Sequence, residues 1–361
     1  MNLKPIRIII PLFLIVLIAA CSACTATDTA PAQTQSAAPS VSESPEPVAE
    51  DVFSFSPEPT PAITLEPVPT PSPTPTPSPT PTPSPTPVPD KIGILDFRYF
   101  DLFSEDVTDT DEMYRDGTRS ITVSRVETKE RTGKSLVYFV VDIYVQDVES
   151  IRRGIGGESY PRIRQREITG FAKSENAIVA MSGDSCPPGV DGFVVINGET
   201  VQTGKKYKRD LCVLYRDGVM KTYAPADISP ELIEARGAWQ TWYFGPMLLD
   251  ENGDIPEKYN LPDTISGRNP RAAIGYFEPG HYCFVLVDGR QNGYSIGLDL
   301  RELSALMKEL GCVSAYNLDG GISAQLTWHS QRINHPGGNR SVLDIVYVPY
   351  PAESEEEGPE E

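Results

Sequence analysis

Two aspartates in the second half of the sequence have the residue types and surroundings of a candidate functional site. Each follows an apolar run and precedes a glycine, in Asp288-Gly289 and in Asp319-Gly320. An ionised carboxylate can act as a nucleophile or a general base, whereas Asp-Gly after a strand is also ordinary turn chemistry. Arg290 adds a cation beside the first pair. The repeated pattern with this arginine favours a functional site over two unrelated turns.

A strand, a helix and a second strand must position these two aspartates. The sequence predicts strands over 281–287 and 313–318, with a helix over about 300–310 between them. Asp299 and Glu302 form a capping pattern at the start of the helix, which has an apolar stripe. This order of elements favours parallel strands, whose carboxyl ends lie at one edge of a sheet. We therefore expect the two carboxylates to converge at that edge.

The first half of the folded region is rich in strand patterns. They occur at 120–128, 136–145, 177–181, 193–196, 211–215 and 219–222. The first two predict an antiparallel pair with a turn at 131–134, and the last two predict a hairpin around Asp217-Gly218. The fold class expected is α+β: a single sheet-rich domain with a mixed sheet and a β-α-β unit near its end.

Composition divides the chain into four segments. Residues 1–20 have a cationic start, an apolar run shorter than the ~20 residues of a membrane span, and small residues before Cys21. This layout is typical of a bacterial lipoprotein signal peptide. Residues 21–91 are rich in Pro, Thr and Ser and predict a disordered linker. Residues 92–350 are expected to form one domain, followed by an acidic tail over 351–361.

Lipidation of Cys21 would attach the protein to the outer side of the cell membrane, at a surface of the Gram-positive type. An ordinary secretory signal and an uncleaved anchor are the alternatives, and they also place the domain outside the cytoplasm. Residues 57–89 could extend over roughly 100 Å in a polyproline conformation. We expect a monomer that stands away from the membrane on this linker.

Charge and rare residues exclude several function classes. The net charge of −19 argues against a nucleic acid partner. The three histidines and the cysteine spacings match no zinc site, and they give little support to a histidine-based triad. The four cysteines of the folded region could form disulfides outside the cytoplasm, with three connectivities open. They are Cys186, Cys212, Cys283 and Cys312.

Three ordered motifs carry a family resemblance: RNPRAAIG at 268–275, VDGR at 287–290 and NLDGG at 317–321. The set resembles the phosphodiester glycosidase family over about 92–350, and 268–340 is its most specific part. Each motif alone is weak, whereas the ordered set is strong. Supporting features are Ser182-Gly183-Asp184, Gly245-Pro246-Met247-Leu248, Asn334 and Asn339-Arg340.

The resemblance implies hydrolysis of a sugar from a sugar-1-phosphodiester, typically of N-acetylglucosamine. Such a substrate is an anion, and guanidinium groups can bind its oxygens in forked contacts. The candidates are Arg268, Arg271, Arg290 and Arg340. Because phosphate is a better leaving group than a sugar alkoxide, arginine charge could replace the general acid of ordinary glycosidases. Asp319 would then be the nucleophile or base, and Asp288 its partner.

The resemblance also assigns residues to substrate binding. They are Asp184, Asn317, Gly320, Gly321, Ser323 and Asn334. The two glycines would let the backbone approach the substrate and offer N–H groups to an oxyanion. The chain departs from many relatives at Ser182, where an asparagine amide is lost, and at Ile322, where a bulky side chain could narrow the site.

Two other functions are compatible with these residues. Ser182 in place of asparagine motivates a non-catalytic glycan-binding lipoprotein on a degenerate fold. Asp184, Asp288 and Asp319 could instead serve as oxygen ligands for Ca²⁺ or Mg²⁺ in a metal-dependent phosphodiesterase. The glycosidase hypothesis requires no cofactor, although Asp288 could hold a divalent cation in it.

Overall fold

The computed structural model describes residues 99–129, 134–185, 192–261 and 265–352. All of them belong to one compact unit, Thr82–Glu361. The predicted signal peptide, Cys21, the linker, the acidic tail and Cys186 lie outside the described residues. Within them, no helix has the length and apolar character needed to cross a membrane.

The described chain is rich in strands and has few helices, as expected for the α+β class. The strands are β1 Thr108–Asp109, β2 Met113–Arg115, β3 Arg119–Lys129, β4 Ser135–Val145, β5 Arg152–Ile155, β6 Gly157–Ser159, β7 Arg162–Ile163, β8 Ala177–Ser182, β9 Phe193–Ile196, β10 Glu199–Thr203, β11 Leu211–Tyr215, β12 Met220–Tyr223, β13 Ala238–Trp242, β14 Met247–Leu249, β15 Arg271–Glu278, β16 His281–Val287, β17 Ser314–Leu318, β18 Leu326–Trp328, β19 Gln331–Arg332 and β20 Asp344–Pro349. The α-helices are α1 Ile168–Ser174, α2 Pro230–Ala235 and α3 Leu300–Glu309.

Two sheets form the framework of the site. The eight-stranded sheet has the order β1-β2-β3-β4-β16-β15-β17-β14, and the five-stranded sheet has the order β19-β18-β8-β20-β5. Apolar side chains of both sheets, such as Phe284 and Val346, belong to one core cluster. On the other face of the eight-stranded sheet, Leu303 and Met307 of α3 belong to a second core cluster together with Val285 of β16. The eight-stranded sheet is therefore covered on both faces.

Several local predictions are confirmed. β3 pairs with β4 and β11 pairs with β12, both antiparallel, as the turn signals indicate. The helix predicted over about 300–310 is α3, and its capping box is formed. The Asp299 carboxylate accepts a hydrogen bond from the Glu302 N–H at 2.8 Å, and the Glu302 carboxylate accepts one from the Asp299 N–H at 2.9 Å.

The prediction of a mixed sheet is wrong for the described strands, because every pairing among them is antiparallel. β16 and β17 run in the same direction, but β15 lies between them and hydrogen-bonds to both. The reason is local: β15 and β16 form a tight hairpin, so β17 meets β15 rather than β16. The two strand ends still reach the same edge of the sheet, separated by the first residue of β15, Arg271.

Candidate functional site

A cavity of about 330 Å³ opens at this edge of the eight-stranded sheet. It brings together one carboxylate, three guanidinium groups, two glycines and three apolar side chains. The lining residues are Phe244, Ile265, Asn269, Arg271, Arg290, Asp319, Gly320, Gly321, Ile322 and Arg340. A single acid surrounded by arginines suits an anionic substrate that carries apolar or ring surface.

Asp319 is the carboxylate of this cavity, and it lies directly after β17. Its N–H donates to the Gly183 carbonyl at 2.9 Å, which ties it to the segment after β8. The pKa of its carboxyl is raised to about 6, first by burial and further by the charge of Asp344. Side-chain hydrogen bonds with Ser323 and Ser185 act in the opposite direction. A carboxylate with this pKa is ionised at neutral pH and more basic than an ordinary aspartate.

Arg271 presents its guanidinium group to the cavity from the start of β15. The group is held by backbone carbonyls: Nε donates to Leu298 at 3.0 Å, and Nη2 donates to Gly267 at 2.6 Å and Ile265 at 2.9 Å. Burial lowers its pKa to about 10, so it remains a cation at neutral pH. In the described part of the chain Nη1 has no hydrogen-bond partner. This nitrogen is the one available to a ligand.

Arg290 is oriented by a neighbour in the same cavity. Its Nε and Nη2 donate to the Asn269 side-chain oxygen at 2.9 and 2.5 Å, and its backbone has a positive φ of 60°. Arg340 also lines the cavity, and its charge lowers the pKa of Asp319. The cavity therefore holds three cations against one carboxylate, although the whole chain has a net charge of −19.

The two glycines after Asp319 differ in role. A Cβ on Gly320 would lie 2.7 Å from the Pro270 carbonyl oxygen, so this position needs glycine for close backbone approach. The Gly321 N–H donates to the same oxygen at 2.9 Å. The expectation that Gly321 offers its N–H to an oxyanion is therefore wrong, because the turn that closes on β15 already uses that donor.

Asp288 has different surroundings from Asp319. It is fully buried, and its carboxylate accepts hydrogen bonds from the Tyr294 hydroxyl, the Asn334 amide and the His335 N–H at 2.8, 2.8 and 3.0 Å. It is not among the residues that line the cavity. Both oxygens of this carboxylate accept hydrogen bonds from these three donors, which suits an anchor for the loop at Asn334.

The strand register explains why the two aspartates diverge. Arg271 pairs with Val287 on β16, whereas the next residue, Ala272, pairs with Leu318 on β17. Side chains alternate between the faces of a sheet, so the residues after Val287 and Leu318 leave it on opposite faces. Sequence spacing alone does not reveal this offset of one residue.

The predicted ligands Arg268 and Asn317 also lie outside the cavity. Arg268 forms an ion pair with Glu302 of α3. Asn317 is buried, and its amide donates to the Gly245 carbonyl at 2.7 Å, which fixes the Gly245-Pro246 segment next to β17. Both residues belong to the predicted motifs, and in the structure they support the elements around the cavity.

Asp184 forms a buried ion pair with Arg153 at 3.4 Å. Its other oxygen accepts hydrogen bonds from the Tyr243 and Phe244 N–H groups, both at 2.6 Å, and burial raises its pKa. Asp184, Asp288 and Asp319 thus have separate partners. No cluster of three His, Cys, Asp or Glu side chains that could hold a metal ion occurs among the residues described.

Three residues that the sequence did not single out organise the segment behind Asp319. Arg153 also donates to the Asp344 carboxylate at 2.7 Å. The two oxygens of Asp344 accept hydrogen bonds from the Asp184 and Ser185 N–H groups at 2.9 and 2.8 Å. The Ser185 hydroxyl in turn lowers the pKa of the Asp319 carboxyl. Asp344 interrupts an apolar strand pattern, which was the one available signal; nothing marks Arg153.

Comparison with known proteins identifies the family. Residues 172–349 match the NAGPA family, described as phosphodiester glycosidase. These residues belong to the phosphodiester glycosidase family. The resemblance drawn from the ordered motifs is thereby confirmed.

One protein similar in sequence and one solved structure similar in fold are relatives of this phosphodiester glycosidase domain. The SPbeta prophage-derived uncharacterized protein YomE of Bacillus subtilis (strain 168) is 27% identical over 205 residues, covering 54% of this chain and 31% of that protein. The chain thus spans about a third of the length of this curated relative. A zebrafish structure, the N-acetylglucosamine-1-phosphodiester alpha-N-acetylglucosaminidase catalytic domain auto-inhibited by its pro-peptide, is 17% identical with a TM-score of 0.53. The match covers 68% of this chain and 88% of the zebrafish chain, and it shows a shared fold.

The two departures of this phosphodiester glycosidase domain from the usual motifs have different structural settings. The Ser182 side chain is fully buried, and its hydroxyl donates to the Asp319 carbonyl at 3.3 Å. It supports the Asp319 backbone from behind and does not line the cavity. Ile322 does line the cavity, as expected for a bulky side chain at this position.

Proposed function

We propose that this protein is a glycosidase that hydrolyses sugar-1-phosphodiesters of the N-acetylglucosamine-1-phosphate type. The observation that carries the proposal is the cavity in which the Asp319 carboxylate lies with Arg271, Arg290 and Arg340. Family membership supports a phosphodiester glycosidase, and the name of the zebrafish relative suggests the sugar.

The chemistry follows from the charges in the cavity. The free Nη1 of Arg271 and the guanidinium groups of Arg290 and Arg340 bind the phosphate oxygens and stabilise the negative charge of the leaving phosphate. With the leaving group stabilised in this way, no general acid is needed. Asp319 attacks the anomeric carbon or removes a proton from the attacking water, and its pKa of about 6 keeps it ionised at neutral pH.

Apolar side chains in the same cavity support a sugar next to the phosphate. Phe244, Ile265 and Ile322 supply the apolar part of the lining. A sugar ring presents C–H surface that packs against such groups, while its hydroxyls require polar partners. Ser323, held against Asp319, is the hydroxyl that we assign to orienting the carboxylate rather than to binding substrate.

The proposed location is the outer surface of the cell membrane, with the lipid anchor on Cys21 and the glycan substrate in or beyond the cell wall. The sequence of residues 1–21 supports export and lipidation. The proline-rich linker supports a domain held away from the membrane.

Asp288 is proposed to position the loop at Asn334 and His335.

The test is release of N-acetylglucosamine from its 1-phosphodiester with a simple alcohol, by the purified mature chain. Wild type is expected to release the sugar, and Asp319→Asn is expected to lose at least about 10³-fold in kcat/KM. Asp254→Asn, at an exposed loop position, is the matched control and keeps wild-type activity.

Hydrolysis in ¹⁸O-labelled water identifies the bond that breaks. Glycosidase action puts the label on the sugar, whereas phosphodiesterase action puts it on the phosphate. Equal release by wild type and Asp319→Asn contradicts the proposal, as does label on phosphate. Calorimetric binding of the substrate without turnover would instead establish the glycan-binding alternative.

A further inference from the structure

A second cavity lies at the other end of β15 and β17 from Asp319. Its volume is about 530 Å³, and it shares no lining residue with the first cavity. Tyr276 of β15 and Lys308 of α3 contribute to its wall, together with Gly311, Cys312 and Ser314. The proposed glycosidase reaction makes no use of this cavity.

Cys312 connects this cavity to a second thiol in the protein interior. Its sulfur lies 3.7 Å from the sulfur of Cys283, which is fully buried at the third position of β16. Cys312 itself is 5% exposed and faces the cavity. The pKa of the Cys283 thiol is raised well above its usual value by the hydrogen bond with Cys312 and by burial. Cys312 is thus the thiol that a reagent in the cavity meets first.

Gly275 provides the space in which the two sulfurs meet. It lies on β15 opposite Cys283. A Cβ at this position would come within 2.6 Å of the Cys312 sulfur and 2.7 Å of the Cys283 sulfur. Side chains cannot approach that closely, so any residue larger than glycine would displace the pair. The backbone of β15 therefore accommodates both sulfurs side by side.

We propose that Cys283 and Cys312 are the site of a structural disulfide, formed by exchange with a protein or small-molecule disulfide that enters the second cavity. The Cys312 thiolate attacks that disulfide and releases one thiol, which leaves a mixed disulfide on Cys312. The Cys283 thiolate then attacks the Cys312 sulfur and releases the second thiol. Two electrons pass to the oxidant, and each protein thiol loses one proton.

The bond would join β16 to the residue that precedes Val313 and β17, closing a loop that contains α3. The two cysteines are 29 residues apart in the chain. A cross-link restricts the unfolded chain more than the folded one, so it stabilises the folded state. It would do so at the strand pair that leads to Asp288 and Asp319. The predicted export of the chain supplies the oxidising surroundings that such a bond requires.

Peptide mapping tests the assignment directly. The full chain is purified without reductant, unfolded in N-ethylmaleimide to block free thiols, and digested with trypsin. We expect a disulfide-linked pair of the peptides 272–290 and 309–332, which contain Cys283 and Cys312. Alkylation of both cysteines, or a link from either one to Cys186 or Cys212, would overturn the assignment.

Variants distinguish a disulfide between Cys283 and Cys312 from two thiols that only lie near each other. Gly275→Ala is expected to reduce the linked peptide strongly, whereas Gly170→Ala, where a Cβ meets only a distant carboxylate oxygen at 3.8 Å, leaves it unchanged. Far-UV circular dichroism checks that both variants fold. If Gly275→Ala does not fold, Cys283→Ala decides the matter by leaving the Cys312 peptide unlinked.

Reduction provides an independent readout. A phosphine reductant is expected to lower Tm by roughly 5–10 °C in wild type and in Cys212→Ala. It is expected to have no effect on Cys283→Ala/Cys312→Ala. The same shift in that double variant, or none in wild type, contradicts the proposal. Loss of sugar-releasing activity in every variant would leave this result unaffected, because neither the map nor Tm depends on catalysis.

Discussion

The carboxylate of Asp319 is influenced in opposite directions by its neighbours. Burial and the nearby Asp344 favour the protonated form, whereas Arg340 and the hydroxyls of Ser185 and Ser323 favour the ionised form. The net result is a pKa of about 6, so the group titrates just below neutral pH. A base tuned in this way combines ionisation at pH 7 with greater basicity than a free aspartate.

The pH dependence of the proposed reaction follows from this pKa. Because the ionised form of Asp319 is the active one, kcat/KM is expected to rise with pH through an apparent pKa near 6 and then level off. Initial rates between pH 4 and pH 8 check this. A midpoint near 4, or a rate that falls over this range, would exclude Asp319 as the group that must be ionised.

The same pKa predicts that the free energy of unfolding falls as pH rises, whereas the activity is expected to increase. The folded state binds the Asp319 proton more tightly than the unfolded state, whose pKa is near the ordinary 3.8, so the free energy of unfolding falls as pH rises between these values. Asp319→Asn, which cannot ionise, is therefore expected to be more stable than wild type at pH 8, by up to about 3 kcal/mol. At pH 4 the two proteins should be alike.

Urea unfolding at both pH values measures this difference. Asp254→Asn, at an exposed position, is the matched control and should show no such pH-dependent gain. A variant less stable than wild type at pH 8 would mean that the hydrogen bonds of the carboxylate outweigh its burial.

At the scale of elements, β8 and β20 support the site through a buried ion network. Arg153 on β5 lies between Asp184 and Asp344, and all three side chains are almost fully buried. Gly183, the residue after β8, lies so near Asp344 that a Cβ on it would be 2.6 Å from an Asp344 carboxylate oxygen. The network therefore fixes the backbone that holds Asp319.

Removal of the cation should be costly. Arg153→Met leaves two buried carboxylates without their partner, and we expect a loss of about 3–5 kcal/mol in the free energy of unfolding. Lys308→Met, which breaks an exposed pair with Asp254, is the control and should change stability by less than about 1 kcal/mol. Denaturant unfolding compares them, and similar small losses in both would refute a stabilising role for the network.

The elements that the sequence predicted well are those with local signals. The β3–β4 and β11–β12 pairs have their turn residues between them, and α3 has a cap and an apolar stripe within one segment. The pairing of β15 with both β16 and β17 depends on contacts between distant segments, so the one-residue offset of Asp288 and Asp319 was hidden. The bond between Arg153 and Asp344 spans 191 residues, and neither residue belongs to a motif.

The sequence predicted which kinds of chemical group form the site better than it predicted which residues supply them. The family resemblance implies a phosphodiester substrate, which needs a carboxylate and cations beside it, and the cavity contains the candidates Asp319, Arg271, Arg290 and Arg340. Arg268 was indistinguishable from Arg271 in sequence, because both lie in one arginine-rich motif. Which guanidinium reaches the cavity depends on the strand and helix that each one meets.

At the scale of the whole molecule, the prediction concerns attachment. Cys21→Ser is expected to move the protein from the membrane fraction to the culture medium or to leave its signal uncleaved, because lipidation requires that thiol. Cys24→Ser, three residues away, is the matched control and should leave it on the membrane. Detergent extraction followed by immunoblotting distinguishes them; equal behaviour of the two variants would contradict the lipoprotein assignment.

The position of Asp344 also sets when the site can exist during synthesis. β20 inserts between β8 and β5, and its first residue completes the contacts of Arg153 and of the backbone after β8. A nascent chain in which residues 344–349 have not yet been synthesised lacks this support, even if part of the eight-stranded sheet has already formed. The proposed activity would accordingly arise only after residues 344–349 have been synthesised and β20 has paired with β8 and β5.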